Sequence, residues 1–425
     1  MKKIITIAFF SIIINKIIAQ NITELIRVSE VERIEKKLSS NEMQGRKVFT
    51  DGIEKAANFI ADEFAKNKLQ FFGNSKSYKQ TFTMVKPKFI SVSATLNEVE
   101  IDSKNIIVIT SSPKISVTEK SGYEITEIKA GSNLFREATR FMQAKKNLII
   151  CVDSSYKNQF SRLTGFKRQL FKNEFSTIFI LSNQVASNFK IESVHELAEL
   201  NLSNIVAVIP GKSKKDEFVI FSGHYDHLGV GKPNENQDSI YNGANDDAAG
   251  ITAVITLSKY FSEIKNNERT IVFVAFTAEE SGGYGSQYFS SQLNPNKVSA
   301  MFNIEMIGTE SKWGKNSAYI TGFEKTDFGT ILQRNLEGSQ FQFQSDPYPT
   351  QNLFFRSDNA TLARLGVPAH TISTAKMENE PHYHKVSDEF ETLDMMNMTE
   401  IIKAIALSSA SIISGKDTPS RVKDL

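Results

Sequence analysis

The chain has 425 residues, of which 40% are hydrophobic and 23% charged, enough to bury a substantial core and to hold more than one domain. Its 50 Lys plus Arg nearly balance 48 Asp plus Glu, which gives no electrostatic case for nucleic acid or for an acidic membrane surface. The single cysteine, Cys151, excludes an internal disulfide, a thiolate metal cluster and a lipoprotein anchor, so any metal must be held by His and carboxylates.

The first stretch, "MKKIITIAFFSIIINKIIAQ", places Lys2 and Lys3 before an apolar run. It reads as a secretory signal peptide over residues 1–19, cleaved after Ala19 or Gln20, which sends the mature chain out of the cytoplasm. Asn15 and Lys16 interrupt the run, and an uncleaved anchor is the alternative, although the run falls short of the ~20 residues a spanning helix needs. Without that leader the balance is 47 basic against 48 acidic residues.

Residues 20–87 open the main domain, with helical spacing in "VSEVERIEKKL" and "DGIEKAANFIADEFAKNKL" and a strand at "YKQTFTMV". Over 88–200 the texture changes to short apolar strands, "NIIVIT", "NLIICV" and "STIFIL", which predicts a separate inserted β-rich domain. Its residues 145–190 carry eight Lys or Arg against two acids, read as a solvated face, and Cys151 sits in an apolar run as a packing residue. From 201 to 415 strands and helices alternate: strand 217–223, helix 248–264, strand 270–276, a helix from 284, strand 300–306, "AYITG", "AHTIS" and a closing helix. This predicts an α/β fold, a three-layer sandwich with a mostly parallel mixed central sheet, followed by a tail over 416–425. In such folds ligands bind outside the carboxyl ends of the strands.

The polar residues that follow those strands form a set. "GHYDHLG" gives His224 and Asp226, a spacing in which a carboxylate can orient a metal-binding imidazole. "NGANDDAAG" brings Asp246 and Asp247 to a helix start, where one Asp can cap the helix and the other is free to ligate. Glu279 and Glu280 follow the buried strand "TIVFVAF", and two adjacent anions at the mouth of a core cost several kcal/mol per ion, roughly, unless a positive charge compensates. Glu305 ends "MFNIEM", and "PHYHKVSD" offers His382 and His384. Taken singly, each has a bland reading as a cap, a surface residue or a satisfied core group. Together they place His, Asp, Glu, Glu and His on one edge of one sheet, a donor set that suits zinc.

The series "GHYDHLG", "GANDDAAG", "TAEES", "NIEMIG", "RSDNATLARLGVPA" and "HYHKVSDEFETLD" resembles the secreted di-zinc aminopeptidases of metallopeptidase family twenty-eight, a group that also contains glutamate carboxypeptidase II and the glutaminyl cyclases. "SSNEMQGR" looks like the family's opening, and the 88–200 region sits where many members insert a protease-associated domain. The resemblance implies two Zn²⁺ per chain, with His224, Asp246, Glu280, Glu305 and His384 as ligands and Asp246 bridging. It further implies Glu279 as general base, Asp226 as the partner of His224, and His382 as a bystander. The family usually has Asp where this chain has Glu305, which leaves coordination there open.

The implied chemistry is hydrolysis of the peptide bond next to a free amino terminus by a metal-bridging hydroxide, with a peptide as substrate, no nucleic acid and no stable membrane insertion after leader cleavage. Two other readings use the same scaffold: glutaminyl cyclisation, which dispenses with the first histidine, and a non-catalytic binding protein, in which loss of the base or of a ligand is common. The presence of His224, Asp246 and Glu279 argues against both. No H-E-x-x-H helix, G-x-S-x-G elbow or phosphate-cradling loop occurs.

Overall fold

The computed structural model describes residues 22–184 and 188–423, so the leader read over residues 1–19 lies outside the described residues. The chain divides into two compact units, one formed by residues up to 81 together with those from 202 onward, the other by residues 82–201. Among the described residues no helix is long and apolar enough to cross a membrane.

The larger unit opens with helices α1 (Val28–Leu38) and α2 (Asp51–Lys66). Helix α2 buries Ile53, Ala56, Ala57, Ile60 and Phe64, a three- and four-residue spacing that lines up one stripe of the helix. Strand β1 (Phe189–Ile209) enters this unit over residues 202–209 and leads to β2 (Lys214–His224), α3 (Ala249–Ile264), β3 (Arg269–Phe276) and α4 (Tyr284–Ser291). There follow β4 (Val298–Ile304), β5 (Ser317–Ile320), α5 (Phe328–Asn335), β6 (Gln342–Ser345), β7 (Ala369–Ser373) and α6 (Met395–Ser408).

The strands lie in the order β6-β5-β7-β4-β2-β3-β1. The four central ones, β7, β4, β2 and β3, are mutually parallel, while β1 runs antiparallel to β3 and β5 antiparallel to β7. The sheet is therefore mixed, with a parallel centre. Parallel strands are covered on both faces, which is why they read as continuous apolar runs. In β3, Ile271, Phe273 and Ala275 join one core with residues of α1, α2, α3, α5 and α6, and Val272, Val274 and Phe276 join a second with Phe289 of α4. That alternation makes three layers. Phe221 of β2 stacks on Phe261, Phe273 and Phe302, and full burial of each such ring is worth about 1.5–3 kcal/mol.

Because the central strands are parallel, their carboxyl ends emerge on one edge. Strand β2 ends at His224, β3 runs into Glu279 and Glu280, and β4 runs into Glu305, all on that edge.

The smaller unit contains a four-stranded sheet in the order Ile106–Ile109, Thr177–Leu181, Leu148–Val152 and Glu124–Ile128. Its last three strands are parallel, and a helix, Leu134–Met142, packs Leu134, Ala138 and Phe141 on one face. The other face meets Ala94, Leu96, Val117 and Ile191, with Cys151 in the same core. This unit is rich in strands and has an α/β arrangement at its centre.

Candidate metal centre

Each functional side chain is held by a device that its local sequence supplies. The turn after β2 is fixed by Arg46, a fully buried cation that donates to the carbonyls of Tyr225, Asn242 and Gly243 at 2.9, 2.5 and 2.8 Å and to that of Leu38 at 2.8 Å. One guanidinium thereby ties the His224 turn to the loop that presents Asp246. Asp247 is also fully buried, and its carboxylate accepts the N–H groups of His224, Gly250 and Met306 at 3.1, 3.0 and 3.1 Å. Asp247 therefore joins β2, the start of α3 and the end of β4, while its neighbour Asp246 is left free to face the cluster. The backbone of Asp246 is held from outside, since Asp388 accepts the N–H of Asn245 at 2.8 Å and of Asp246 at 3.0 Å.

Three residues at the rim sit in the left-handed backbone region without being glycine: Ala278 before the Glu pair, Met306 after Glu305, and His384. Such conformations cost about 1–3 kcal/mol each and gather where a side chain must be aimed.

The five residues expected as ligands converge. His224 Nε2 lies 3.3 Å from Asp246 Oδ1, and His384 Nε2 lies 3.2 Å from both Asp246 Oδ2 and Glu280 Oε1. Donor atoms of His224, Asp246 and Glu305 all fall within 4.8 Å of one another, so the longer glutamate side chain at 305 reaches the cluster. His382 does not join it, and instead bonds Ser387 Oγ through Nδ1 at 3.0 Å.

Asp226 differs from expectation. The Nδ1 of His224 faces the Asp226 carbonyl oxygen at 3.1 Å, and the carboxylate stands 3.9 Å away. The carboxylate instead accepts the backbone N–H of Glu279 at 2.9 Å and of Glu280 at 3.3 Å. Two backbone donors at the β3 turn compete for it, and the backbone carbonyl is the acceptor left for the imidazole.

Sequence reading passed over four residues. His227 is buried, with Nδ1 3.0 Å from Glu280 Oε1 and 4.0 Å from Asp246 Oδ2. Asp358, Asp388 and Arg46 complete the set. All four lie inside quoted motifs, "GHYDHLG", "RSDNATLARLGVPA", "HYHKVSD" and "SSNEMQGR", so their types were visible but their partners were not.

The electrostatics show what the cluster lacks. Burial lowers the proton affinity of His224, but the carboxylates of Asp246, Glu279 and Asp247 reverse that and raise it well above the ordinary value. Contact with Asp246 and Glu280 raises His384 to about 10. Burial pushes Glu279 well above the usual carboxylate range, helped by Glu305, Asp358 and Asp226 and opposed by His224. Burial likewise brings Asp358 to about 7. The site thus concentrates negative charge that demands positive charge in return.

The donor set fits zinc, which takes imidazole nitrogen and carboxylate oxygen. Two ligand atoms each about 2.0–2.1 Å from one ion at a tetrahedral angle stand about 3.3–3.4 Å apart, close to the separations found here. Asp246 Oδ2 and Glu305 Oε2 are buried without a hydrogen-bond partner, which is costly unless something else meets them. His224, Asp246 and Glu305 could hold one ion, and Asp246, Glu280 and His384 a second. The adjoining pocket is lined by Asp246, Glu279, Glu280 and Glu305, and also by Tyr319, Leu353, Arg356, Met377 and Tyr383.

Comparison with known proteins adds a family match over part of the chain and a fold. Residues 204–408 match the model of Peptidase family M28. A probable zinc metalloprotease of Pyrenophora tritici-repentis is 33% identical over 114 residues, 26% of this chain and 25% of that protein. The chain thus spans about a quarter of the length of such relatives. Among solved structures, an aminopeptidase from Aneurinibacillus sp. strain AM-1 is similar over 95% of this chain and 97% of its own, with a TM-score of 0.54 and 16% identity. A zinc aminopeptidase from Bacillus subtilis matches over 94% and 98%, also with a TM-score of 0.54 and 16% identity. At that identity the likeness is one of fold.

Proposed function

We propose that the chain, whose residues 204–408 match the model of Peptidase family M28, is a member of that family and a zinc-dependent aminopeptidase that hydrolyses the first peptide bond of peptides. The observation that carries this reading is the convergence of His224, Asp246, Glu280, Glu305 and His384 at ligand-like separations beside the otherwise unengaged Glu279. Two zinc ions bound there would supply a water acidified toward a pKa of ~7 and polarisation of the scissile carbonyl.

The protein's own part is positioning and proton transfer. Glu279 is half-buried, lines the pocket, and makes no side-chain hydrogen bond or ion pair among the described residues. Its raised proton affinity suits a group that takes a proton from water and returns it to the departing amine. Asp226 holds the Glu279 backbone, so the base keeps its place while its side chain remains free. Asp246, Glu280 and Glu305 on the pocket wall favour a substrate ammonium, which supports action at a free amino terminus. Export is part of the proposal and rests on the sequence of residues 1–20 alone.

His224 beside Asp246 supports a two-ion hydrolase over a cyclase, which needs one ion. The test is a panel of aminoacyl and carboxy-terminal fluorogenic peptides, assayed with zinc and with chelator, alongside N-acetylated versions. Cleavage of free aminoacyl substrates that is lost on chelation is expected. Equal cleavage of acetylated peptides, or activity indifferent to chelator, would sink it.

A further inference from the structure

His227 stands apart from the other imidazoles of the cluster. Its Nδ1 meets Glu280 Oε1 at 3.0 Å in an aligned hydrogen bond. The pairs His224–Asp246 and His384–Glu280 stand at 3.3 and 3.2 Å, the spacing of two ligand atoms on one small ion. An imidazole lone pair directed at an ion points between that ion's ligands, whereas the Nδ1 of His227 points at the carboxylate oxygen itself. Donor atoms of His227, Asp246 and Glu280 also fall within 4.8 Å of one another, with His227 Nδ1 4.0 Å from Asp246 Oδ2, so it is the aligned bond to Glu280, not distance, that sets His227 apart.

The ring is seated by the chain around it. Gly243 has φ +55, and a Cβ there would fall 2.6 Å from His227 Cδ2 and 2.7 Å from Cγ, so the glycine makes room for the imidazole. The backbone N–H of His227 donates to the carbonyl of Arg46 at 3.2 Å. Glu280 is an acceptor, so Nδ1 carries the proton.

We propose that His227 is a positioning residue: its Nδ1–H fixes the carboxylate of Glu280 in the orientation in which Glu280, with Asp246 and His384, holds the second cation. The inference rests on the metallopeptidase reading above. It gives the four-residue turn His224–His227 three tasks on neighbouring atoms. His224 contributes a ligand nitrogen, Asp226 pins the backbone of Glu279 and Glu280, and His227 pins the Glu280 side chain. The base and the ligand next to it are thereby set by one short segment. Hydrogen bonds to ligating carboxylates commonly carry a 10–100-fold share, roughly, of metal affinity.

The test compares His227→Ala, His227→Leu and His227→Asn in the full chain. Asparagine can donate from nearly the place of Nδ1 but is a poor zinc ligand, and leucine fills the space without a donor, which covers a failure of the alanine variant to fold. Zinc uptake is titrated calorimetrically into chelator-stripped protein, and the visible spectrum of the cobalt-loaded protein reports coordination. The expected result is two ions in the parent, a second ion bound about 10–100-fold more weakly in the alanine and leucine variants, near-parental binding in the asparagine variant, and an unchanged cobalt spectrum there. Asparagine as damaging as leucine, with an altered spectrum, would make His227 a ligand and overturn the proposal. Parental affinity in all three would leave it no role. A parent chain that takes up no metal would instead overturn the function proposed above, and this inference with it.

Discussion

The carboxylate of Asp226 accepts the backbone N–H of Glu279 at 2.9 Å, so the residue two places after a ligand histidine fixes the backbone of the proposed base. Replacement by Asn would turn one acceptor oxygen into a donor facing a backbone N–H, and a buried unpaired donor costs about 1–3 kcal/mol. In Asp226→Asn we expect kcat to fall roughly 10–100-fold with KM little changed and zinc retained, measured by steady-state kinetics and metal analysis on the same preparation. A variant that keeps full kcat would show that the backbone tie is dispensable.

Glu279→Gln removes the proton acceptor and keeps its shape. Turnover should drop by about 10²–10⁴-fold, while zinc content and melting temperature stay near those of the parent. Loss of metal together with activity would move Glu279 from base to ligand.

The fold was legible where burial is two-sided. The apolar runs at 217–223, 270–276 and 300–306 read as central strands, and the polar residues that end them could be collected before any coordinates. The edge strand β6 was not legible, because "QFQS" is four residues long and buries only Phe343 fully. The helix Leu134–Met142 inside the smaller unit was passed over for a similar reason: its nine residues carry only three buried positions. Ligand types showed in the sequence because zinc chemistry restricts them to a few side chains. The roles of Arg46, Asp226, Asp388 and His227 did not, since each acts on backbone groups or a side chain whose nearness is set by tertiary packing.

Glu305 stands where an aspartate was expected, and its carboxylate already reaches within 4.8 Å of donor atoms on His224 and Asp246. Met306, next to it, is locked by the bond from its N–H to Asp247. The backbone therefore cannot advance to follow a shorter side chain. Glu305→Asp should weaken one of the two ions at least tenfold, about 1.4 kcal/mol, in a zinc titration. Unchanged affinity would mean that the loop has slack which these contacts deny.

Arg46 donates to four carbonyls in the interior, a number that one lysine ammonium with three protons cannot serve. Arg46→Lys should destabilise the fold by about 3 kcal/mol in chemical denaturation, and more than the removal of any surface ion pair. An effect below ~1 kcal/mol would place the clamp elsewhere.

The last prediction concerns Glu35 of α1, which is fully buried and accepts a hydrogen bond from Thr252 on its Oε2 at 2.8 Å. Burial raises its carboxyl to about 8, against the ordinary 4.5, while Thr252 and the Arg46 charge lower it and Asp388 raises it further. Between those two pH values the folded chain keeps a proton that the unfolded chain has released. Stability contributed by this group is therefore present in acid and is lost as pH rises toward about 8. Glu35→Gln retains an acceptor for Thr252 and removes the titration. Between about pH 6 and about pH 9 the parent should lose about 3 kcal/mol more than the glutamine variant, read from guanidinium denaturation of both proteins at the two pH values. Parallel pH dependence of parent and variant would show that Glu35 enters the fold already ionised, with Arg46 as its full counter-charge.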